Sequence, residues 1–227
     1  MPNRVENFIN IADETKKIFK FFHEIGLSRF ELSEKSKAIL NSWGKIEPIE
    51  KFYKDISECM RCNFCKSRNQ IVAGWGNPYA KLMIIKDMPT YEEDKNGDPF
   101  EGYSGELLSN IIKATKIRKE SIYIANLIKC TPPENTKPSS YEIDACLPFL
   151  QRQIKAISPK FICVFGSLSA QTILDSKMSI ARLRGNFHDY KGIKLIATYS
   201  PSYLLEYPEK KKDVWEDMKN LMKEYKE

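Results

Sequence analysis

No apolar run in the chain approaches the roughly 18–20 residues that a membrane-spanning helix requires; Phe161-Ile-Cys-Val-Phe165, among the longest, stops at its fifth residue. The opening residues MPNRVENFIN lack an apolar signal core, so the chain reads as intracellular, with no membrane contact. Glycine (10) is sparse and proline (12) no more than ordinary among 227 residues, which excludes collagen-like and proline-rich low-complexity chains. Internal repeats are lacking as well. Charge of one sign does not dominate: 36 Lys and Arg against 30 Asp and Glu give +6, which permits a nucleic-acid partner without demonstrating one. Only two histidines are present, His23 and His188, so the usual carrier of acid–base chemistry near neutral pH is scarce. What remains, 42% apolar and 29% charged residues, suits a globular chain with one full domain and its own core.

Six cysteines stand at 59, 62, 65, 130, 146 and 163. Without a secretory signal, a disulfide framework is the poorer reading and metal ligation the better one. Cys59-Met-Arg-Cys62 is a C-x2-C pair whose thiolates can reach one ion or one cluster edge, and Cys130 and Cys146 can complete a four-thiolate set. Zinc and a 4Fe–4S cluster both accept four cysteines, and the spacing leaves both open, together with an incidental pair that binds nothing. Cys163, inside an apolar run, behaves as a small core hydrophobe; Cys65, nearer the pair, can be a third local ligand, though a set of Cys59, Cys62, Cys130 and Cys146 leaves it spare.

From Arg4 to Gly26 the residues Val5, Phe8, Ala12, Phe19 and Phe22 recur at intervals of three, four or seven, an amphipathic helix that Gly26 can end. A second short helix is expected over Ser33 to Leu40. These first 50 residues read as a helical extension whose apolar face packs on the body or meets a protein partner. Residues 51–227 alternate: strand Leu82 to Lys86, helix near Gly105 to Ala114, strand Ser121 to Leu127, helix Ser140 to Ile157, strand Phe161 to Phe165, helix Ser167 to Leu174, strand Ile193 to Ala197, helix Glu209 to Tyr225. The alternation predicts an α/β three-layer sandwich, a central mainly parallel four-stranded sheet flanked by helices. Ligands of such folds bind at the C-terminal ends of the strands, here Asp87 to Thr90, Asn126, Gly166-Ser167 and Tyr199 to Ser202.

At those ends the chain resembles a known family. Cys59-x-x-Cys62, Gly76 to Ile85, Glu92 to Phe100, Gly102-Tyr-Ser-Gly105-Glu-Leu-Leu108, Tyr123 to Asn135, Cys146 to Ile154, Arg184-Gly185 and Pro201-Ser-Tyr-Leu-Leu205 follow, in order and spacing, the iron–sulfur uracil-DNA glycosylases of family four. The resemblance covers roughly residues 55 to 225. It implies a monomeric enzyme that hydrolyses the N-glycosidic bond of uracil, or of another deaminated base, in DNA. It further implies a structural 4Fe–4S cluster on Cys59, Cys62, Cys130 and Cys146. Phe100 matches the aromatic residue that stacks on the flipped base, and Asn126 the residue that reads its edge. Asp87 matches the carboxylate that orients water, Met88 lines the same pocket, and Ser200 stands where a donor faces the base O2. Arg184, Gly185, Ser202, Leu204 and Leu205 fall in the DNA-contacting motifs, with the two leucines as an apolar wedge.

The resemblance breaks at the chemistry. The family's Gly-Glu-(Ala or Gly)-Pro-Gly is Lys86-Asp-Met-Pro-Thr90 here, which shortens the carboxylate and enlarges its small neighbours. The family's His-Pro-Ser-Tyr-Leu-Leu-Arg is Ser200 to Glu206, so a hydroxyl replaces the imidazole and a carboxylate replaces a phosphate-attracting guanidinium. Losing one such donor typically costs about 10²–10³ in rate. Two readings follow: an altered glycosylase, or a glycosylase-like iron–sulfur protein that binds DNA or a repair partner. His188, in a loop before the last strand, is a candidate replacement for the missing imidazole, and the run Glu209 to Asp213 is either a phosphate contact or a solvated face.

Overall fold

The computed structural model describes residues 48–133 and 136–225, all within one compact unit, Ile46–Glu227. The helices expected over Arg4 to Gly26 and Ser33 to Leu40, with His23, lie outside the described residues, as does Asn135.

Among the described residues one sheet is built from β1 (Gly74–Gly76), β2 (Leu82–Lys86), β3 (Ile122–Asn126), β4 (Phe161–Phe165), β5 (Phe187–Tyr190) and β6 (Ile193–Thr198) in the order β1-β3-β2-β4-β6-β5. The central strands β3, β2, β4 and β6 are parallel, and β1 and β5 close the edges antiparallel. The sheet thus has six strands, where four were expected. The four central strands are apolar runs because helices cover both their faces. The edge strands escape that signal: β1 is Gly-Trp-Gly and β5 is Phe-His-Asp-Tyr. His188 therefore lies in a strand and not in a loop. Its Nε2 donates to the Leu183 carbonyl at 2.8 Å, so it does not replace the missing imidazole.

Eight α-helices are described: α1 (Ile49–Ile56), α2 (Tyr91–Asn96), α3 (Gly102–Ala114), α4 (Ser140–Ile157), α5 (Ser167–Ile173), α6 (Ile180–Leu183), α7 (Pro201–Glu206) and α8 (Lys211–Tyr225). Strand alternation sends Met83, Ile85, Ala125, Ile162 and Val164 to a core with α1, α4 and α5. Leu82, Ile84, Ile122, Ile124 and Phe165 meet α3, α7 and α8 on the other face. Each fully buried Leu or Ile contributes about 1.5–3 kcal/mol to that packing. Caps set the helix starts nearest the strand ends. Thr90 caps α2 by accepting from the Glu93 N–H, and Gly97 at φ 77° ends it. Ser139 and Glu142 form a reciprocal capping box at α4. None of the described helices is long and apolar enough to cross a membrane.

The edge strand β1 is fastened to functional neighbours through its lead-in. Three successive carbonyls are used: Val72 accepts from Asn126 Nδ2 at 3.2 Å, Ala73 from Gln153 Nε2 at 2.9 Å and Lys129 Nζ at 3.2 Å, and Gly74 from the Tyr53 hydroxyl at 3.1 Å.

Candidate active site

Lys86 and Asn126 are cross-strand partners at the C-terminal ends of β2 and β3, so their side chains share the sheet face that carries α3 and α8. Asn126 is 1% exposed. Its Nδ2 donates to the Val72 carbonyl, and Oδ1 is left buried without a partner. Lys129, buried beneath, binds the Asn126 carbonyl and Gln153 Oε1, and burial brings its ammonium down to a pKa of about 7. Phe100 is partly buried against the same face, edge-on to Trp75 at 5.2 Å, with the Lys119 ammonium 3.8 Å from its ring centre. Gly105 is needed beside it: a Cβ there would lie 2.2 Å from the Phe100 carbonyl carbon.

Lys86 reaches from β2 to α2, where its Nζ pairs with Glu93 Oε1 at 2.5 Å, both side chains buried. Burial pulls the Lys86 ammonium below the usual lysine range and pushes Glu93 above the usual carboxylate range, each opposed by the other's charge. Glu93 Oε2 has no partner. Glu93 Oε2 and Asn126 Oδ1 are thus two buried acceptors without a partner, each costly unless a further group completes it.

Asp87 is partly buried and turns to the start of α5. Its Oδ1 accepts from the Ser169 N–H at 2.7 Å, and its carboxylate lies so close to Gly166 that a Cβ there would sit 2.2 Å from Oδ2. Burial pushes its pKa above the ordinary aspartate value, and the Ser169 and Leu168 N–H groups pull part of the way back. Met88 packs against the α1, α4 and α5 core, on the other side of the sheet from Asn126. Ser200 is the N-cap of α7, its Oγ accepting from the Tyr203 N–H at 3.2 Å.

Cys59, Cys62, Cys130 and Cys146 line a single small cavity, whereas Cys65 is not part of its wall. The wall is otherwise Ile56, Ile71, Ala145 and Phe149 with three cations, Arg61, Arg68 and Lys129. Arg68 Nη1 donates to Cys130 Sγ at 3.1 Å. Burial raises Cys62 and Cys146 and pushes Cys130 up to about 11, so these are neutral thiols until a cationic centre makes them thiolates. Cys163 is a fully buried core residue, as its strand implies.

A family model described as "Uracil DNA glycosylase superfamily" matches residues 73–219. The chain is 38% identical to a type-4 uracil-DNA glycosylase of Thermotoga maritima, a match covering 70% of this chain and 84% of the relative. It is 31% identical to one of Archaeoglobus fulgidus (78% and 92% covered) and 36% identical to one of Sulfurisphaera tokodaii (78% and 84%). The chain belongs to the uracil-DNA glycosylase superfamily.

In this superfamily member several residues expected at DNA are occupied elsewhere. Leu204 is fully buried beneath α7 and cannot act as a wedge, because the short helix turns that side into the core. Leu205 on the other side is 45% exposed. Arg184 is engaged within the fold: its Nε and Nη2 hold the buried Asp217 at 2.9 and 2.7 Å. Gly185, at φ 84°, gives its carbonyl to Asn220 Nδ2. Ser202 is exposed and lies 3.1 Å from the Ser104 hydroxyl at the start of α3. In the run Glu209 to Asp213, Lys210 and Asp213 pair at 3.5 Å. Sequence reasoning missed the Lys86–Glu93 pair and the Gly166 cradle. A signal for the first was present, since Lys86 ends an otherwise apolar strand that both faces bury.

Proposed function

We propose that this superfamily member is a DNA base-excision glycosylase that hydrolyses the N-glycosidic bond of uracil or a similarly deaminated base, working where DNA is, inside the cell. The observation that carries the reading is the single uncommitted acceptor of Asn126, buried at the C-terminal end of a central strand on the face where Phe100 packs. An acceptor so placed suits a ring N–H of an oxo base. Asp87, held by Ser169, orients the water that attacks C1′. Phe100 supplies a stacking surface, worth about 1–3 kcal/mol for a base. The exposed Tyr91, Tyr103, Leu205 and Tyr207 are the groups available to meet the flanking DNA.

The donor set of the four-cysteine cavity fits a 4Fe–4S cluster: four sulfurs, an apolar wall, and cations to balance the negative charge of a thiolate-bound cluster. Cys59, Cys62, Cys130 and Cys146 would hold it. When bound, it supplies cross-linking rather than a redox step, since base hydrolysis needs none. Residues 59–70 then stay fixed on α2, where Asp94 accepts from the Asn69 N–H and side-chain amide at 2.8 and 2.7 Å.

The test is single-turnover excision by anaerobically purified protein on oligonucleotides carrying uracil, hypoxanthine or xanthine. Release that disappears in Asn126→Ala supports the reading, and no release from any of the three refutes it. A second reading, selective DNA binding without hydrolysis, is favoured by one observation, the use of Ser200 Oγ as a helix cap. It would show as retained binding to uracil-containing DNA without release, with uracil release regained in Ser200→His.

A further inference from the structure

The four-cysteine cavity is walled by three cations and, among the described residues, by no carboxylate. Two of those cations are already employed. The Lys129 ammonium is shared among the Asn126 and Ala73 carbonyls and Gln153 Oε1, and the Arg61 guanidinium lies 4.5 Å from the centre of the Phe149 ring. Arg68 is different. It has no carboxylate partner among the described residues, and the group its side chain meets is a sulfur, Cys130 Sγ, which accepts from Nη1 at 3.1 Å. A guanidinium spent on a neutral thiol is a poor match, because its strong hydrogen bonds are those to anions. A cysteine thiolate bound to iron is such an anion. The backbone on either side of Arg68 is anchored independently of the cysteines. Ser67 Oγ donates to the carbonyl of Thr131, the neighbour of Cys130, at 3.1 Å, and the Asn69 and Gln70 N–H groups donate to Asp94 of α2 at 2.8 and 3.3 Å. Glu142, whose charge is felt at Cys62, is spent on its capping box with Ser139.

We propose that Arg68 is a positioning residue for the cluster: its guanidinium donates to the Cys130 thiolate, holds that ligand on the iron, and raises the reduction potential of the centre above what the four thiolates alone give. This rests on the cluster reading above and is independent of hydrolysis. Four thiolates outweigh the charge of the iron–sulfur core, so the loaded centre is an anion, and each electron added makes it more negative. A cation hydrogen-bonded to one of its sulfurs stabilises the reduced member of a couple more than the oxidised one. Removing an electron from the resting centre is therefore harder with Arg68 in place, and the bound iron is protected against oxidants. For a centre that takes no part in the hydrolysis, retention is what the contact serves.

The test takes anaerobically purified holoprotein and measures two quantities: the reduction potential by redox titration, and the loss of brown absorbance to ferricyanide with a ferrous chelator present. Each ferricyanide accepts one electron from the centre and leaves as ferrocyanide. Thermal melting checks that every variant folds. Arg68→Gln is expected to move the potential to more negative values and to hold iron about 10–100-fold less tightly. Arg68→Lys, which keeps the charge without the planar fork, falls between that variant and the native protein. Arg61→Gln removes a wall cation whose side chain rests on Phe149, and it stays near native in both measurements. An Arg68→Gln potential equal to the native one, or an Arg61→Gln shift as large as that of Arg68→Gln, overturns the proposal while leaving the cluster reading standing. Should Arg68→Gln hold no iron, the comparison passes to Arg68→Lys, where a native potential overturns the proposal and a negative shift supports it. Native protein that carries no iron overturns both.

Discussion

Glu93→Gln should cost this protein much of its thermal stability although no DNA or metal is touched. The Lys86 and Glu93 side chains are 9% and 0% exposed and 2.5 Å apart, so removing the negative charge strands an ammonium with water excluded. Breaking a buried pair from one side costs about 3–5 kcal/mol. Glutamine keeps the volume and an acceptor oxygen, which places this change at the lower end, about 3 kcal/mol. For a domain of this size about 2–4 °C of melting temperature goes with each kcal/mol, giving a fall of about 6–12 °C in a scan of the holoprotein. Replacing both partners, as in Lys86→Met/Glu93→Leu, should return the melting temperature to near the native value or above it, because the desolvation penalty disappears together with the attraction. A Glu93→Gln protein that melts within about 2 °C of native would refute the reasoning. So would a double variant less stable than the single one.

Gly166→Ala forces a Cβ into the Asp87 carboxylate at a backbone φ of +128°. We expect a loss of about 1–3 kcal/mol from the strained conformation alone, with base release falling more than stability does, measured by melting and single-turnover assays side by side. Arg184→Ala should lower the melting temperature by leaving Asp217 buried and unpaired. The slope of log affinity against log salt for DNA should stay unchanged, whereas a lost phosphate contact would reduce it by about one. The raised Asp87 pKa sets a pH dependence. If its ionised form orients water, the acid limb of the rate lies above the ordinary aspartate value of 3.8, rises with pH through the folded-state value, and vanishes in Asp87→Asn. For stability the sign is opposite: the fold holds the proton more tightly than the open chain, so this contribution is full below pH 3.8 and is lost as pH rises through the folded-state value. Cys62→Ser, purified anaerobically, should lose the brown absorbance near 400 nm, while Cys163→Ala keeps it.

The central sheet was legible because each parallel strand is a short apolar run set off from the next by helical segments. The edge strands were not, because Gly-Trp-Gly and Phe-His-Asp-Tyr take their strand character from the neighbours they pair with. The short helices α2 and α7 were missed for a related reason: six residues give too little periodicity to read. Within the candidate site, the grouping of the four cysteines around one cavity and the burial of Asn126 at a strand end follow the places the sequence suggested for them. The commitments of Arg184 and Leu204 depend on residues elsewhere in the chain, Asp217 in α8 and the core beneath α7. Motif matching by itself does not show such commitments within the fold.

The three carbonyls of Val72, Ala73 and Gly74 bear on how this protein can be altered. They grip the Asn126 amide, the lysine and glutamine beneath it, and a tyrosine of α1. The stretch just before them carries Cys59 and Cys62. The base contact and the cysteine ligation proposed above would thus share one piece of backbone, and neither would be a detachable module. An engineer who grafts β3 with Asn126 into another scaffold carries over the letter-reading group without the lectern that aims it. Residues 59–76 must travel with it, and a backbone shift at Val72, whatever side chain stands there, will be felt at the base.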